Sequence, residues 1–192
     1  MESQSKAPNF KFLVLDLEMN QPSGEIIQVG AVAGNLETGK IHEMFNRYIR
    51  IHEPVNDKEP NNIVKLTKIT DQVLASKGVS LDQAVKDLKE FMIKNEVNSC
   101  PASWGEDAQY LLTQMDNRGI KLEGLFGYDA EFNIKKIYQV YRLRQGKSMQ
   151  GGVSSACKKL GRPFVGQKHN ALDDAKNTFI IWHELYKRIK QD

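Results

Sequence analysis

The chain has 192 residues, 40% hydrophobic and 27% charged, with a formal net charge of +3. That is enough apolar material for one real core and too little chain for two comfortable domains. No apolar run reaches the ~18–20 residues of a bilayer span, the polar Met1–Lys6 stretch lacks a signal peptide's apolar core, and Cys100 and Cys157 form neither a zinc spacing nor a disulfide framework.

The expectation is therefore a cytoplasmic soluble protein with no membrane contact, residues 1–9 forming a flexible N-terminus and 10–192 the domain. Phe10 to Glu18 (Phe-Lys-Phe-Leu-Val-Leu-Asp-Leu-Glu) reads as its first strand. Leu13, Leu15 and Leu17 share one face; Phe10, Phe12, Val14, Asp16 and Glu18 share the other, because side chains two apart on a strand point the same way, ~6–7 Å apart. Apolar residues on both faces mark a central, covered strand. After turn chemistry at Gln21–Gly24, Ile26 to Ala33 reads as a second strand. Asn35 to Gly39 turns into a third, Lys40 to Ile51. Short connections make these three an antiparallel meander.

His52 to Asn62 is a polar loop, followed by two brief helices near Asn62–Leu66 and after Thr70. Ser80 with Gln83 fits a capping box that opens a helix to about Lys94. Val97 to Trp104 is expected as a fourth strand, Glu106 to Arg118 as a helix stopped by Gly119, and Gly124 to Tyr128 as a fifth strand. Helices follow at Ile134–Arg144 and Val153–Leu160. Asn170 caps the last helix, whose apolar stripe is Leu172, Ala175, Phe179, Trp182, Tyr186 and Ile189. A meander followed by alternating strands and helices gives one α/β domain, a mixed sheet covered by helices on both faces.

Between Ile134 and Lys168 there is no acid, against nine basic residues. A one-signed block of that kind suits a polyanion. The acids lie elsewhere, at element ends. Asp16 and Glu18 would repel one another and lose hydration, penalties that a hard divalent cation removes. Asp107, Asp173 and Asp174 each have an ordinary alternative as helix N-terminal acids. His169, in the polar loop Gly166–His169, sits where a proton acceptor could swing.

In this order, Asp16-x-Glu18, Ser103-Trp104-Gly105-Glu106-Asp107 and His169-x-x-x-x-Asp174 resemble the three motifs of the DEDDh 3′–5′ exonucleases. The stretches Phe132–Lys136, Met149–Val153 and His169–Asn177 resemble the enhanced-RNAi and histone-mRNA 3′-exonuclease branch of that family. Many relatives have one more residue between Trp-Gly and the third acid, so Glu106 and Asp107 both fall near that position, and Asp107 is the favoured ligand. Asn170 stands where the sister class has a tyrosine base. The resemblance implies an RNase H-like fold with a five-stranded sheet whose first three strands are antiparallel. It also implies two Mg²⁺ or Mn²⁺ ions: Asp16 bridging both, Glu18 and Asp174 on the one that carries the nucleophile, Asp107 reaching through water, and His169 taking the proton. Nucleoside 5′-monophosphates would leave from a free 3′ end.

By the same resemblance Met19 and Asn20 lie where the terminal nucleotide is touched, and Leu66 and Ile69 could wedge against a base or be core. Trp104 reads as core. The favoured partner is single-stranded RNA. Alternatives are a proofreading-type DNA exonuclease, since sequence does not display contacts to the 2′-OH, and a non-catalytic nucleic-acid-binding module on the same fold.

Overall fold

The structure, a computed structural model, describes residues 10–98, 100–127 and 131–191. The expected flexible N-terminus lies outside them. Strands β1 (Lys11–Met19), β2 (Ile26–Asn35) and β3 (Lys40–Tyr48) form the antiparallel meander. With β4 (Ala102–Ser103) and β5 (Phe132–Asn133) they make a five-stranded sheet in the order β3-β2-β1-β4-β5, β4 running parallel to β1 and β5 to β4. β1 is thus central, as its two apolar faces require.

Each face of β1 anchors its own core. Leu13, Leu15 and Leu17 pack with Val29, Ala31, Phe45 and the helices α3 (Leu81–Asn95) and α4 (Asp107–Asn117). Val14 and Val32 pack on the other side with α5 (Ile134–Arg144), α6 (Val153–Lys159) and α7 (Ala171–Gln191). Two short helices, α1 (Ile63–Thr67) and α2 (Asp71–Lys77), enclose a small third cluster around Ile27, Ile63, Ile69 and Leu74. Asn62, Thr70 and Ser80 cap α1, α2 and α3 through their side chains. Only half of the Ser80 box forms: Gln83 Nε2 turns to Asp87 Oδ1 at 2.7 Å instead of reaching back.

Both short strands differ from expectation. The Val97–Trp104 stretch keeps one contact with the start of β1, Asn98 N to Lys11 O at 2.9 Å, but Pro101 has no N–H to continue a ladder. Among the described residues of the stretch, only Ala102 and Ser103 pair as a strand. Gly124–Tyr128 is not the fifth strand; Tyr128 lies outside the described residues, and Gly124 has φ +64°. Leu125 there is buried in the α3–α4 core from a turn. Pairing falls to Phe132–Asn133, which runs straight into α5, Asn133 capping the helix. A two-residue strand has no alternation to read. At the chain's end Ile189 is 55% exposed, so the buried stripe of α7 stops at Leu185 with Tyr186 half-covered.

One close approach positions α7. A Cβ on Gly30 would lie 2.1 Å from Leu172 N, and one on Gly34 2.4 Å from the Phe179 ring. Gly30, Val32 and Gly34 share a strand face, so the helix lies along β2 with its first turn pressed against Gly30. Two residues back on that face, the buried Gln28 accepts the Ala171 N–H on Oε1 at 3.1 Å and donates to Asn46 Oδ1 at 2.9 Å. Gly30 is the partner of Asp16 across the β1–β2 ladder, so the seat of α7 is also the address of the acids.

Gly30→Ala forces α7 off the sheet and is expected to destabilise the fold by roughly 3 kcal/mol or more, as overpacking against backbone does. Gly152→Ala, with nothing within 4 Å of the added Cβ, should cost only about 1 kcal/mol, the loss of a good N-cap residue on α6. Urea unfolding of the two variants checks the contrast.

Candidate active site

β1 carries Asp16 and Glu18 to the edge of the sheet on one face, and α7 brings Asp174 to meet them. Oxygens of these three half-buried carboxylates lie within 4.8 Å of one another. Asp107 opens α4 behind β4. Ser103 Oγ accepts the N–H groups of Gly105 and Asp107 at 3.2 and 3.4 Å and donates to Glu131, which itself accepts the Gln109 N–H at 3.0 Å. That turn aims Asp107 at the backbone amide of Leu17 and at the other acids. Glu106, its neighbour, is exposed and pairs with Lys136.

The electrostatics are those of like charges held out of water. Burial, then the charges of Asp107, Asp174 and Glu18, raises Asp16 well above the usual carboxylate range. Burial and the charges of Asp174 and Asp107 push Glu18 up to about 8. Burial takes Asp107 up to about 6 with help from Glu131, against the pull of the Ser103 hydroxyl and the Leu17 amide. Asp174 is raised mainly by burial, opposed by the amides of His169 and Asn170. Every donor is a hard oxygen and the group is short of positive charge, so the residues present fit a divalent cation of the Mg²⁺ or Mn²⁺ kind.

His169 is exposed, with φ +58°. Its own N–H donates to Asp174 Oδ2 at 2.8 Å, which ties the histidine backbone to the acid cluster. Asp173 has a different task. It accepts the Gln167 N–H at 2.9 Å and pairs with Lys176 at 3.0 Å, so it shapes the loop. Gly166 leaves room for it: a Cβ there would lie 2.3 Å from the Asp173 carboxylate. The fully buried Asn177 holds the loop from the next turn, accepting from Val165 N at 3.0 Å and donating to Val165 O and Asp173 O at 2.8 and 2.7 Å. Asp16, Glu18, Trp104, Lys158, Lys168, His169 and Asp174 all line one open cleft of about 680 Å³.

The four expected substrate residues divide. Met19 is half-buried at the end of β1 and packs against the α3–α4 core. Asn20 is buried, its Nδ2 donating to Pro54 O at 3.1 Å and its Oδ1 accepting from Asn56 N at 2.8 Å. Its side chain therefore anchors a loop in this structure and does not face the cleft. Ile69 is 2% exposed, a core residue, whereas Leu66 is 46% exposed and available for contact. Trp104 lies tilted 5.5 Å from Tyr138 and is partly packed, yet also lines the cleft. Gln28, Asn177 and Glu131 were missed from sequence. A glutamine inside the apolar run Ile-Ile-Gln-Val-Gly was the one signal available, since a buried amide needs partners.

A family model described as a 3′–5′ exoribonuclease Rv2179c-like domain matches residues 11–186. Among curated proteins the chain is similar to ERI1 exoribonuclease 2 of Mus musculus, 26% identical over 180 residues, covering 83% of this chain and 25% of the relative. It is also similar to the Homo sapiens protein of that name, 25% identical over 207 residues, covering 93% and 29%. The chain thus spans well under a third of the length of these relatives. Among solved structures, the nuclease domain of 3′hExo, a DEDDh family member bound to rAMP, superposes with a TM-score of 0.77 at 20% identity, covering 96% of this chain and 95% of that one. Cell-death related nuclease 4 gives 0.78 at 21%, covering 94% and 65%. E. coli exonuclease I in complex with a dT13 oligonucleotide gives 0.72 at 16%, covering 94% and 42%. At these identities the likeness is one of fold.

The raised acids make a signed prediction. A carboxyl whose folded pKa lies above its unfolded value favours folding while protonated. For Glu18 that contribution is complete below about 4.5 and lost as pH rises through about 8. In EDTA the melting temperature should fall between pH 5 and 8.5, and Asp16→Asn should raise it at pH 8 by about 2–4 °C per kcal/mol of repulsion relieved. Saturating Mg²⁺ or Mn²⁺ should stabilise the wild type increasingly with pH, and Asp16→Asn much less. Thermal melts across pH, with and without metal, check both.

Proposed function

The chain belongs to the family of Rv2179c-like 3′–5′ exoribonuclease domains, and from that premise we propose that it is a 3′–5′ exonuclease of the DEDDh type that removes nucleotides from the free 3′ end of single-stranded RNA, releasing nucleoside 5′-monophosphates. One observation carries the chemistry: Asp16, Glu18 and Asp174 converge to within 4.8 Å in the cleft that His169 also lines. Asp16, Glu18 and Asp174 would hold the metal directly, and Asp107 would contribute from the α4 side. Two divalent cations, when bound, supply charge for the scissile phosphate and lower the pKa of the attacking water.

The chain's own side chains do the rest. His169 accepts the proton of the attacking water, a task suited to an imidazole near neutral pH. Its backbone bond to Asp174 keeps it at the site. Leu66, exposed on α1, and Met19, at the end of β1, are the candidates to contact the terminal nucleotide. RNA over DNA is supported by the family description and by the names of the curated relatives. The DNA alternative is supported by the shared fold of exonuclease I with its dT13 oligonucleotide. Residues 10–192 act as one exonuclease domain in this scheme, and a sequence with two cysteines and no disulfide framework suits a cytoplasmic setting.

Digestion of matched 5′-labelled RNA and DNA oligonucleotides tests it. With Mg²⁺ or Mn²⁺ the RNA should shorten from its 3′ end, and EDTA should stop the reaction. His169→Gln should lower kcat by about 10²–10⁴-fold, the usual contribution of a positioned proton acceptor. Faster loss of DNA would move the substrate to the alternative, and binding without cleavage in any metal would leave a binding module.

A further inference from the structure

Two lysines share the cleft with the carboxylates. Lys158 on α6 and Lys168 in the loop before α7 both line it. Several neighbours in the same basic run are engaged elsewhere. Lys136 pairs with Glu106 at 3.3 Å and Arg162 with Glu184, while Lys159 and Arg142 donate to the carbonyls of Gln150 and Ser148 at 2.6 and 3.2 Å. Among the described residues the ammonium groups of Lys158 and Lys168 have neither an ion pair nor a hydrogen bond, although acids of opposite sign line the same cleft. Helix α6 buries Ala156 and Cys157 against α7, which turns Ser154, Ser155 and Lys158 to the cleft as neighbours on one helical face.

The other flank of His169 is tied shut. Gln167 Nε2 donates to Thr67 O at 3.1 Å, fastening the His169 loop to α1, and Asn20 pins the segment Pro54–Asn56 beside it. A strand whose 3′ end reaches His169 therefore continues over α6.

We infer that Lys158 and Lys168, with the Ser154 and Ser155 hydroxyls, hold the first backbone phosphate on the 5′ side of the scissile bond. This rests on the exonuclease reading and adds to it the course of the strand. A phosphodiester there keeps its full negative charge, because the site's cations attend the scissile group one nucleotide away. Unpartnered ammonium groups on flexible stems can follow a backbone without reading its bases. They also offset the acidic floor that any incoming polyanion must approach.

The test compares wild type, Lys158→Ala/Lys168→Ala and Lys158→Arg/Lys168→Arg on two substrates. One is a single-stranded oligonucleotide; the other is thymidine 5′-monophosphate p-nitrophenyl ester, which has a scissile phosphate and no second one. Binding of the labelled oligonucleotide is followed by anisotropy in EDTA across salt concentrations. In the alanine pair, oligonucleotide affinity should drop roughly tenfold and the slope of log K against log salt should shrink by about 0.7, the share of one phosphate contact on a single strand. Its kcat/KM should fall far more on the oligonucleotide than on the ester, and the arginine pair should recover the salt slope. An unaltered slope and affinity would overturn the inference. So would equal losses on both substrates, which would place the lysines at the scissile phosphate. If the wild type cleaves neither substrate with any divalent cation, the exonuclease reading fails separately, and the anisotropy arm still decides the phosphate contact.

Discussion

Three carboxylates, Asp16, Glu18 and Asp174, are held together in a half-buried cleft against their mutual repulsion and that of Asp107 on α4, and the rest of the structure is arranged to keep them there. Glu18 is driven up to about 8 by burial and its neighbours' charges, so the metal-free fold resists its own site. What overcomes that resistance is packing. The contact of α7 with the sheet at Gly30, 2.1 Å from a Cβ that is absent, leaves Asp174 no freedom to retreat from Asp16. Buried leucines on the opposite face fix β1 just as firmly. Stability from the core is thereby converted into electrostatic strain at the site, the usual relation between a packed scaffold and a functional cluster.

The segment from Gly166 to Asn177 shows how closely roles can be divided. Asp173 and Asp174 are adjacent and chemically identical, yet one shapes the loop through Gln167 and Lys176 while the other joins the acid cluster and holds the His169 amide. Asn177, one turn on, braces the same loop with three hydrogen bonds through its amide. The backbone of His169, the proposed proton acceptor, is therefore tied to the first turn of α7 while its ring stays exposed.

Much of this was legible in the sequence, and what was not has a physical reason. β1, β2 and β3 announced themselves because each is long enough to alternate and is bounded by turn residues. The caps Thr70 and Ser80 were readable because capping is local chemistry. β4 was drawn too long and β5 misplaced because two-residue strands are created by their neighbours: the apolar Gly124–Gly127 stretch serves the α3–α4 core, and Phe132 pairs with Ala102 only once both are delivered there. At the site, Asp16, Glu18 and Asp174 converge where spacing and resemblance put them. Asn20 and Ile69 do not face the cleft, since nothing local says that an amide will anchor Pro54 and Asn56 or that an isoleucine will face inward. Gln28 and Asn177 act only through partners distant in sequence or folded back upon them.

The most direct measurement is calorimetric titration of Mn²⁺ into the metal-free chain at pH 7, in buffers of different ionisation enthalpy. Carboxyls raised as Glu18 is must surrender protons when a cation binds. Wild type is predicted to bind Mn²⁺ with net proton release, which falls in Glu18→Gln, and binding itself should be lost in Asp16→Asn. Binding with no proton release, or the same binding in Asp16→Asn, would contradict a cation site built from mutually repelling buried acids.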